Sequence, residues 1–105
     1  DNETGYLKIK LAGSGTVHWV MQANSEPNYD FGHVELMRGT GRIFGSYKED
    51  ERQEKIKSAY AVSGSAEKNG SNSYQDGDIF WFRYIKDRSL SNSPDNVECT
   101  LWLTA

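Results

Sequence analysis

Apolar and polar side chains alternate along most of this chain, with the two-residue period of strands that bury one face. In residues 6–12, Leu7 and Ile9 alternate with Lys8 and Lys10, which predicts a strand with its apolar side against a core. The same alternation predicts the inward positions of two further strands, which are Val17, Trp19, Met21 and Ala23 in residues 16–23, and Val97, Cys99, Leu101 and Leu103 in residues 97–103. The outward positions of these two strands are then His18, Val20 and Gln22, and Glu98, Thr100 and Trp102.

The densest aromatic segment of the chain predicts a central strand that is apolar on both sides. Its first set of alternating residues is Phe80, Phe82 and Tyr84, and its second set is Ile79, Trp81, Arg83 and Ile85. Aromatic and β-branched residues favour an extended, pleated surface with neighbours on both sides. If the first set faces the core, Trp81 and Arg83 lie on the opposite face and Trp81 is partly exposed.

Segments rich in turn-forming residues separate the remaining predicted strands, at residues 31–37, 42–47 and 56–63. Residues 48–57 are mostly charged and lack an apolar stripe, which favours an exposed hairpin tip, with one helical turn as the alternative. Residues 64–77 are rich in Gly, Ser and Asn, so we expect a solvated, mobile loop. Seven or eight strands without a convincing helix predict an all-β fold, an antiparallel two-sheet β-sandwich.

Two stretches of the chain repeat one plan, in which a strand leads into a polar turn and a second strand. The phrase consists of Ser25, Glu26, Tyr29 and Asp30 in the first stretch, and of Phe82, Tyr84, Lys86, Asp87, a serine-rich loop and Asp95 in the second. It resembles the jelly-roll modules of extracellular proteins, a group that includes MAM-type, laminin-G-like and bacterial carbohydrate-binding domains. The resemblance implies a jelly-roll-like sandwich in an extracellular or cell-surface protein.

The length and charge of the chain limit the number of domains and the class of partner that we expect. The 105 residues are expected to form one domain, a monomeric module cut from a larger protein. The formal net charge is −3, and the 12 Lys and Arg are scattered among 15 acids, so no basic stripe predicts nucleic-acid binding. No apolar run of about 18 residues predicts membrane insertion. The single cysteine, Cys99, occupies an inward strand position, where a thiol acts as a small apolar side chain.

Catalytic motifs are missing from the sequence. His18 and His33, the two histidines, lie in no nucleophile, phosphate-loop or zinc motif, and we expect both to be surface strand residues. Glycosidases need two carboxyl groups about 5–10 Å apart across a cleft, and Glu26, Asp30, Asp87 and Asp95 are the best-placed acids. A sandwich this small rarely encloses a substrate, so the chain is predicted not to be an enzyme.

Structural calcium is the one cofactor that the acidic residues of the predicted loops could bind. Asp87 and Asp95 flank the serine-rich loop, and Asp76 and Asp78 lie in the preceding turn. Calcium takes six to eight oxygen ligands of this kind. The alternative is that these carboxylates cap turns by accepting hydrogen bonds from nearby backbone N–H groups.

The outward tryptophans are the predicted ligand-binding residues. If their two strands share a sheet, Trp81, Arg83, Glu98 and Trp102 form one aromatic and polar surface. Indole rings beside hydrogen-bonding groups suit sugars, because the rings stack on C–H faces while polar groups bind hydroxyls. Trp81 and Trp102 would stack, Arg83, Glu98 and Gln22 would bind hydroxyls, and Tyr29 is a secondary candidate. The alternative is that a loop or another domain covers both tryptophans.

Together with the resemblance, these residues predict a non-catalytic carbohydrate-binding module that recognises a polysaccharide. The alternative is a protein-interaction or structural module of an adhesin or fibre, in which the exposed aromatic side chains belong to a protein interface.

Overall fold

A computed structural model describes residues 2–25, 30–45, 58–87 and 96–105 of the chain. These residues form strands and no helix, and so none of them lies in a helix that could cross a membrane. The strands are β1 (Asn2–Lys10), β2 (Gly15–Asn24), β3 (Phe31–Arg38), β4 (Gly41–Phe44), β5 (Ala61–Val62), β6 (Ser65–Tyr74), β7 (Ile79–Asp87) and β8 (Asn96–Thr104).

The strands form two antiparallel sheets that pack face to face. The five-stranded sheet has the order β1-β7-β3-β4, with β5 also paired to β3, and the three-stranded sheet has the order β6-β2-β8. Every strand pair is antiparallel. The predicted all-β sandwich is confirmed, whereas this strand order does not confirm a jelly-roll topology.

The core lies between the sheets and includes most of the positions that the alternation predicts to face inward, but not Leu7, which is 53% exposed. Val17, Trp19 and Met21 of β2 are at most 2% exposed. Leu36 and Phe80 meet them from the five-stranded sheet. Burying aromatic and aliphatic side chains of this size contributes about 1.5–3 kcal/mol each to the free energy of folding. The predicted inward faces of β2 and β7 are therefore confirmed. On β8, Val97, Cys99 and Leu101 pack against the core, but Leu103 is 42% exposed, since it lies near the end of an outer strand.

Gly32 of β3 allows the two sheets to come into direct contact. A Cβ atom at this position would overlap Cγ1 of Val97 on β8 and lie 3.2 Å from Cγ2 of Val62. The Val97 side chain thus packs against the main chain of the opposite sheet, and any residue larger than glycine would push it away.

One turn fastens the end of the sandwich where β1, β3, β6 and β7 meet. The buried Asp78 carboxylate accepts two hydrogen bonds of 2.9 Å from the Arg38 guanidinium and one of 2.8 Å from the Gln75 backbone N–H. The Asp76 carboxylate accepts a hydrogen bond of 2.8 Å from the backbone N–H of Gly13. The hydrogen bonds from Arg38 are the largest cause that lowers the pKa of Asp78 below its ordinary value.

The prediction of a mobile loop at residues 64–77 is wrong. Ser65–Tyr74 forms β6, which pairs with β2 over ten residues. Small polar residues have little intrinsic preference for strands, but the ladder to β2 and the buried Tyr74 hold the segment extended. Gly70 allows the Trp19 ring to pack closely against β6, because a Cβ atom at position 70 would lie 2.7 Å from Cζ2 of Trp19.

The expectation that both histidines are surface residues is wrong for His33. This side chain is 1% exposed, and it lies beside Phe31 and Glu35 on the outer face of β3, where Phe31 is fully buried and Glu35 is 3% exposed. The outer face of the five-stranded sheet is therefore covered along β3. The predicted hairpin tip at residues 48–57 lies outside the described residues.

Candidate functional site

Trp81 and Trp102 lie on opposite sides of the molecule. Trp81 belongs to β7 in the five-stranded sheet, and Trp102 belongs to β8 in the three-stranded sheet. Both are outward, as predicted, because their strands turn alternate residues into the core. The hypothesis of one surface required the two strands to share a sheet, and they do not. Arg83 therefore lies with Trp81, whereas Glu98 and Gln22 lie with Trp102.

The outer face of the three-stranded sheet brings together the largest group of predicted site residues. Strand pairing places His18 opposite Trp102, and it places Gln22 between Glu98 on β8 and Glu67 on β6. Residues that pair across antiparallel strands share a face. This surface, called the Trp102 face below, consists of Thr16, His18, Val20, Gln22, Glu67, Asn69, Ser71, Ser73, Glu98, Thr100, Trp102 and Thr104.

An indole ring supported from one side dominates the Trp102 face. Trp102 is 46% exposed, and its ring lies against the His18 imidazole with centroids 5.2 Å apart and planes 7° apart. The His18 Nε2 atom is 2.8 Å from the hydroxyl oxygen of Thr104, and this contact restrains the imidazole. A ring stacked on one side and open on the other is suited to binding a second flat surface.

Hydroxyl, amide and carboxylate groups continue along the Trp102 face from this ring. Gln22 donates a hydrogen bond of 2.7 Å to Glu67, which orients the amide, and Glu98 is exposed on the other side of Gln22. Asn69 and Thr100 extend the exposed polar surface to the outer strands. The face carries two carboxylates and neither Lys nor Arg. Strand geometry makes the surface roughly 20 Å long and about 10 Å between the axes of its outer strands.

A cleft opens at the β6 edge of the same surface. It has a volume of about 260 Å³, and three aromatic residues, Trp19, Phe44 and Tyr60, line its inner side. The rings of Phe44 and Tyr60 are stacked, with centroids 5.1 Å apart. Asn69 and Ser71 line the cleft and also belong to the Trp102 face, so β6 borders both features.

The outer face of the five-stranded sheet carries a second aromatic surface with a different charge. Tyr6 pairs with Arg83, and Lys8 pairs with Trp81, so the four residues form a two-by-two block. The Tyr6 and Trp81 rings stack with centroids 5.6 Å apart. The Lys8 Nζ atom lies 4.0 Å, and the Arg83 Cζ atom 4.3 Å, from the centroid of the Trp81 ring. These four residues are called the Trp81 block below.

Glu35 is a buried carboxylate beside the Trp81 block. It is 3% exposed and pairs with Trp81 from β3. Its carboxylate accepts a hydrogen bond of 2.7 Å from Arg42, whereas the Arg83 guanidinium is 3.7 Å away. The free-energy cost of burying the Glu35 carboxylate is offset chiefly by the hydrogen bond from Arg42, because a charge removed from water needs a close partner.

Among the remaining predicted residues, Asp76 and Asp78 belong to neither surface. Tyr29 and Asp95 lie outside the described residues, and Asp87 is the last residue of β7. Asp76 and Asp78 bind turn backbone groups and Arg38, which is the role of the turn-capping alternative. Across residues 2–25, 30–45, 58–87 and 96–105, no group of three or more His, Cys, Asp or Glu could hold a metal ion.

The sequence patterns do not identify several residues of the two surfaces. They predict an outward position for His18 but no partner, and they predict a loop at Asn69. For Tyr6 and Lys8 they predict only a half-buried strand. Alternation predicts the face of each residue, but no local pattern indicates which strands are neighbours.

The chain matches no protein-family model, no curated protein and no solved structure.

Proposed function

We propose that this chain is a non-catalytic module that binds a neutral polysaccharide through the Trp102 face. The observation that carries the proposal is the exposed Trp102 ring, stacked on His18 within a surface of hydroxyl, amide and carboxylate groups. The ring stacks on the C–H face of one sugar, while Asn69, Gln22 and Glu98, which lie further along the strands, bind hydroxyl groups of neighbouring sugars.

The shape and charge of the surface support an extended, uncharged ligand. The surface is a flat strip three strands wide, which contacts a chain-like ligand along its length rather than enclosing a small molecule. Glu67 and Glu98 accept hydrogen bonds from sugar hydroxyls but repel a polyanion, because like charges across an interface oppose binding. The resemblance to extracellular jelly-roll modules supports a location outside the cell or at its surface.

The proposal is tested by native affinity electrophoresis through gels that contain soluble neutral polysaccharides, such as cellulose derivatives, xylans, mannans and β-glucans. We expect retardation by at least one polymer, and we expect Trp102→Ala to weaken the affinity about fivefold or more, since stacked aromatic contacts contribute about 1 kcal/mol and hydroxyl contacts depend on them. Tyr6→Ala is the matched control, because it removes an exposed ring from the opposite sheet. If Trp102→Ala is retarded as strongly as the parent chain, the polysaccharide does not bind at the Trp102 face.

A protein-interaction module is the second candidate, and one observation favours it. Leu7 and Leu103 face the space between the sheets, yet they are 53% and 42% exposed. They belong to β1 and β8, which are outer strands of their sheets. Exposed strand edges with apolar side chains pair readily with other chains. Dimers that dissociate in Leu103→Lys, together with no response to any polysaccharide, would favour this candidate.

A further inference from the structure

We infer that the Trp81 block is a second binding surface, and that its ligand is an acidic polysaccharide, a glycan with carboxylate or sulfate groups on its rings. This surface is distinct from the Trp102 face, and the inference does not depend on the function proposed for that face. It rests on the alternation of rings and cations across β1 and β7.

The block presents rings on one diagonal and cations on the other. Tyr6 and Trp81 are stacked, and Lys8 and Arg83 each lie within 4.3 Å of the Trp81 ring centroid. The cation–π contact restrains the Lys8 ammonium without neutralising it, whereas the Arg83 guanidinium also lies 3.7 Å from the Glu35 carboxylate. An incoming ligand therefore meets, at Lys8, a positive charge whose position is already restricted, which lowers the entropic cost of binding.

Exposure makes the block accessible. Tyr6 is 66% exposed, so the ring face turned away from Trp81 is open to a ligand. Lys8 and Lys10 are exposed on the same side of β1, two residues apart, which corresponds to about 7 Å along the strand. A sugar ring can stack on Tyr6 while its acidic group reaches Lys8 or Arg83.

The described charges on the outer side of the five-stranded sheet favour an anionic ligand. The described side chains on this side of the sheet include four cations, Lys8, Lys10, Arg42 and Arg83, and one carboxylate, Glu35. The Trp102 face has two carboxylates and no Lys or Arg. Among the described side chains, the two outer faces of the sandwich thus differ in the sign of their charge, in a chain whose formal net charge is −3.

A glycan fits these features better than a nucleic acid does. Phosphate backbones carry a charge every few ångströms and are bound by broad basic surfaces. The block is a strip two strands wide, and the rest of the chain is acidic overall. Acidic sugars combine one charge with one C–H face, which matches the pairing of each cation with a ring.

The test uses two matched pairs of polymers in affinity electrophoresis with the full chain. Polygalacturonate is compared with its methyl ester, and dextran sulfate is compared with dextran. We expect retardation by at least one charged member, none by its neutral partner, and a loss of affinity of about tenfold when NaCl rises from 0.05 to 0.5 M, because exposed charges are screened.

The variants locate the site. Tyr6→Ala and Lys8→Gln are expected to lower affinity for the charged polymer about three- to tenfold each. Trp102→Ala, which removes an exposed ring from the other sheet, and Thr100→Glu, which lowers the net charge equally on the other sheet, should leave affinity within about twofold, because both sites are distant. Urea unfolding verifies that each variant is folded.

Three outcomes would overturn the inference. Equal retardation by charged and neutral partners, or by neither, excludes recognition of the acidic group. Unchanged affinity in both Tyr6→Ala and Lys8→Gln places binding elsewhere. Tighter binding to a thymidine oligonucleotide than to either charged polymer assigns the block to nucleic acid instead.

Discussion

Trp81 and Trp102 lie on the outer faces of opposite sheets, with the core of the sandwich between them. Trp102 stacks on His18 and leaves one face open, whereas Trp81 is bracketed by Tyr6, Lys8 and Arg83. The two tryptophans therefore report on separate surfaces. Variants of one ring serve as controls for the other, which makes each binding proposal separable from the other.

Trp19 and Trp102 are expected to differ sharply in their contribution to stability. Trp19 is 2% exposed in the core, and Trp19→Ala should lower the free energy of unfolding by about 3–5 kcal/mol. Trp102 is 46% exposed, and Trp102→Ala should cost less than about 1.5 kcal/mol. Urea unfolding followed by circular dichroism measures both. A large loss in Trp102→Ala would show that the ring is structural rather than available to a ligand.

Gly32 and Val97 should be energetically coupled across the sheets. Gly32→Ala forces a Cβ into Val97 Cγ1 and should destabilise the fold by about 1–3 kcal/mol. Val97→Ala removes the obstructing methyl groups, so the double variant should be more stable than the sum of the single changes by about 0.5 kcal/mol or more. Val20→Ala, on the outer face, is the control. Strict additivity of Gly32→Ala and Val97→Ala would contradict the close approach.

Asp78 should make stability depend on acid pH. Hydrogen bonds from Arg38, the largest cause, hold the pKa of Asp78 below its ordinary value of about 3.9. A group with a lowered folded-state pKa stabilises the fold above its unfolded pKa, and this contribution disappears as pH falls through the folded pKa. The loss is therefore expected below about pH 4.

The matched variant is Asp78→Asn, which keeps the shape and removes the charge. It should cost about 1–3 kcal/mol at pH 7, because the charge-assisted hydrogen bonds that Arg38 donates to the buried carboxylate are lost. Thermal unfolding at pH 7 and at pH 2.5 compares it with the parent chain. The difference between the two proteins should narrow at pH 2.5, and a constant difference would assign the effect to packing alone.

Cys99 should react slowly with thiol reagents. Burial raises the pKa of the Cys99 thiol to about 11, so little thiolate is present at pH 8. Labelling of the folded chain by an aromatic disulfide reagent should be on the order of a hundredfold slower than labelling in urea, because thiolate is the reacting species. Comparable rates in the two states would show that β8 opens readily.

Much of the sandwich could be predicted from local patterns. Alternation assigned Trp19 to the core and Trp102 and Gln22 to the outside, because a strand turns successive side chains to opposite faces whatever its neighbours are. The turn at Gly39 was also predictable, since its φ of 61° is a conformation that glycine adopts freely. The error at β6 has a physical cause as well, because its small polar residues depend on the ladder to β2 rather than on their own propensity.

These patterns do not predict which strands pair, and strand pairing creates both candidate sites. His18 meets Trp102 and Lys8 meets Trp81 only because β2 pairs with β8 and β1 pairs with β7, strands far apart in the chain. Those contacts depend on the global packing of two sheets around one core, which minimises exposed apolar surface over the whole molecule. The amino-acid order thus settles which face each side chain occupies, and the assembled sandwich settles which side chains share a surface.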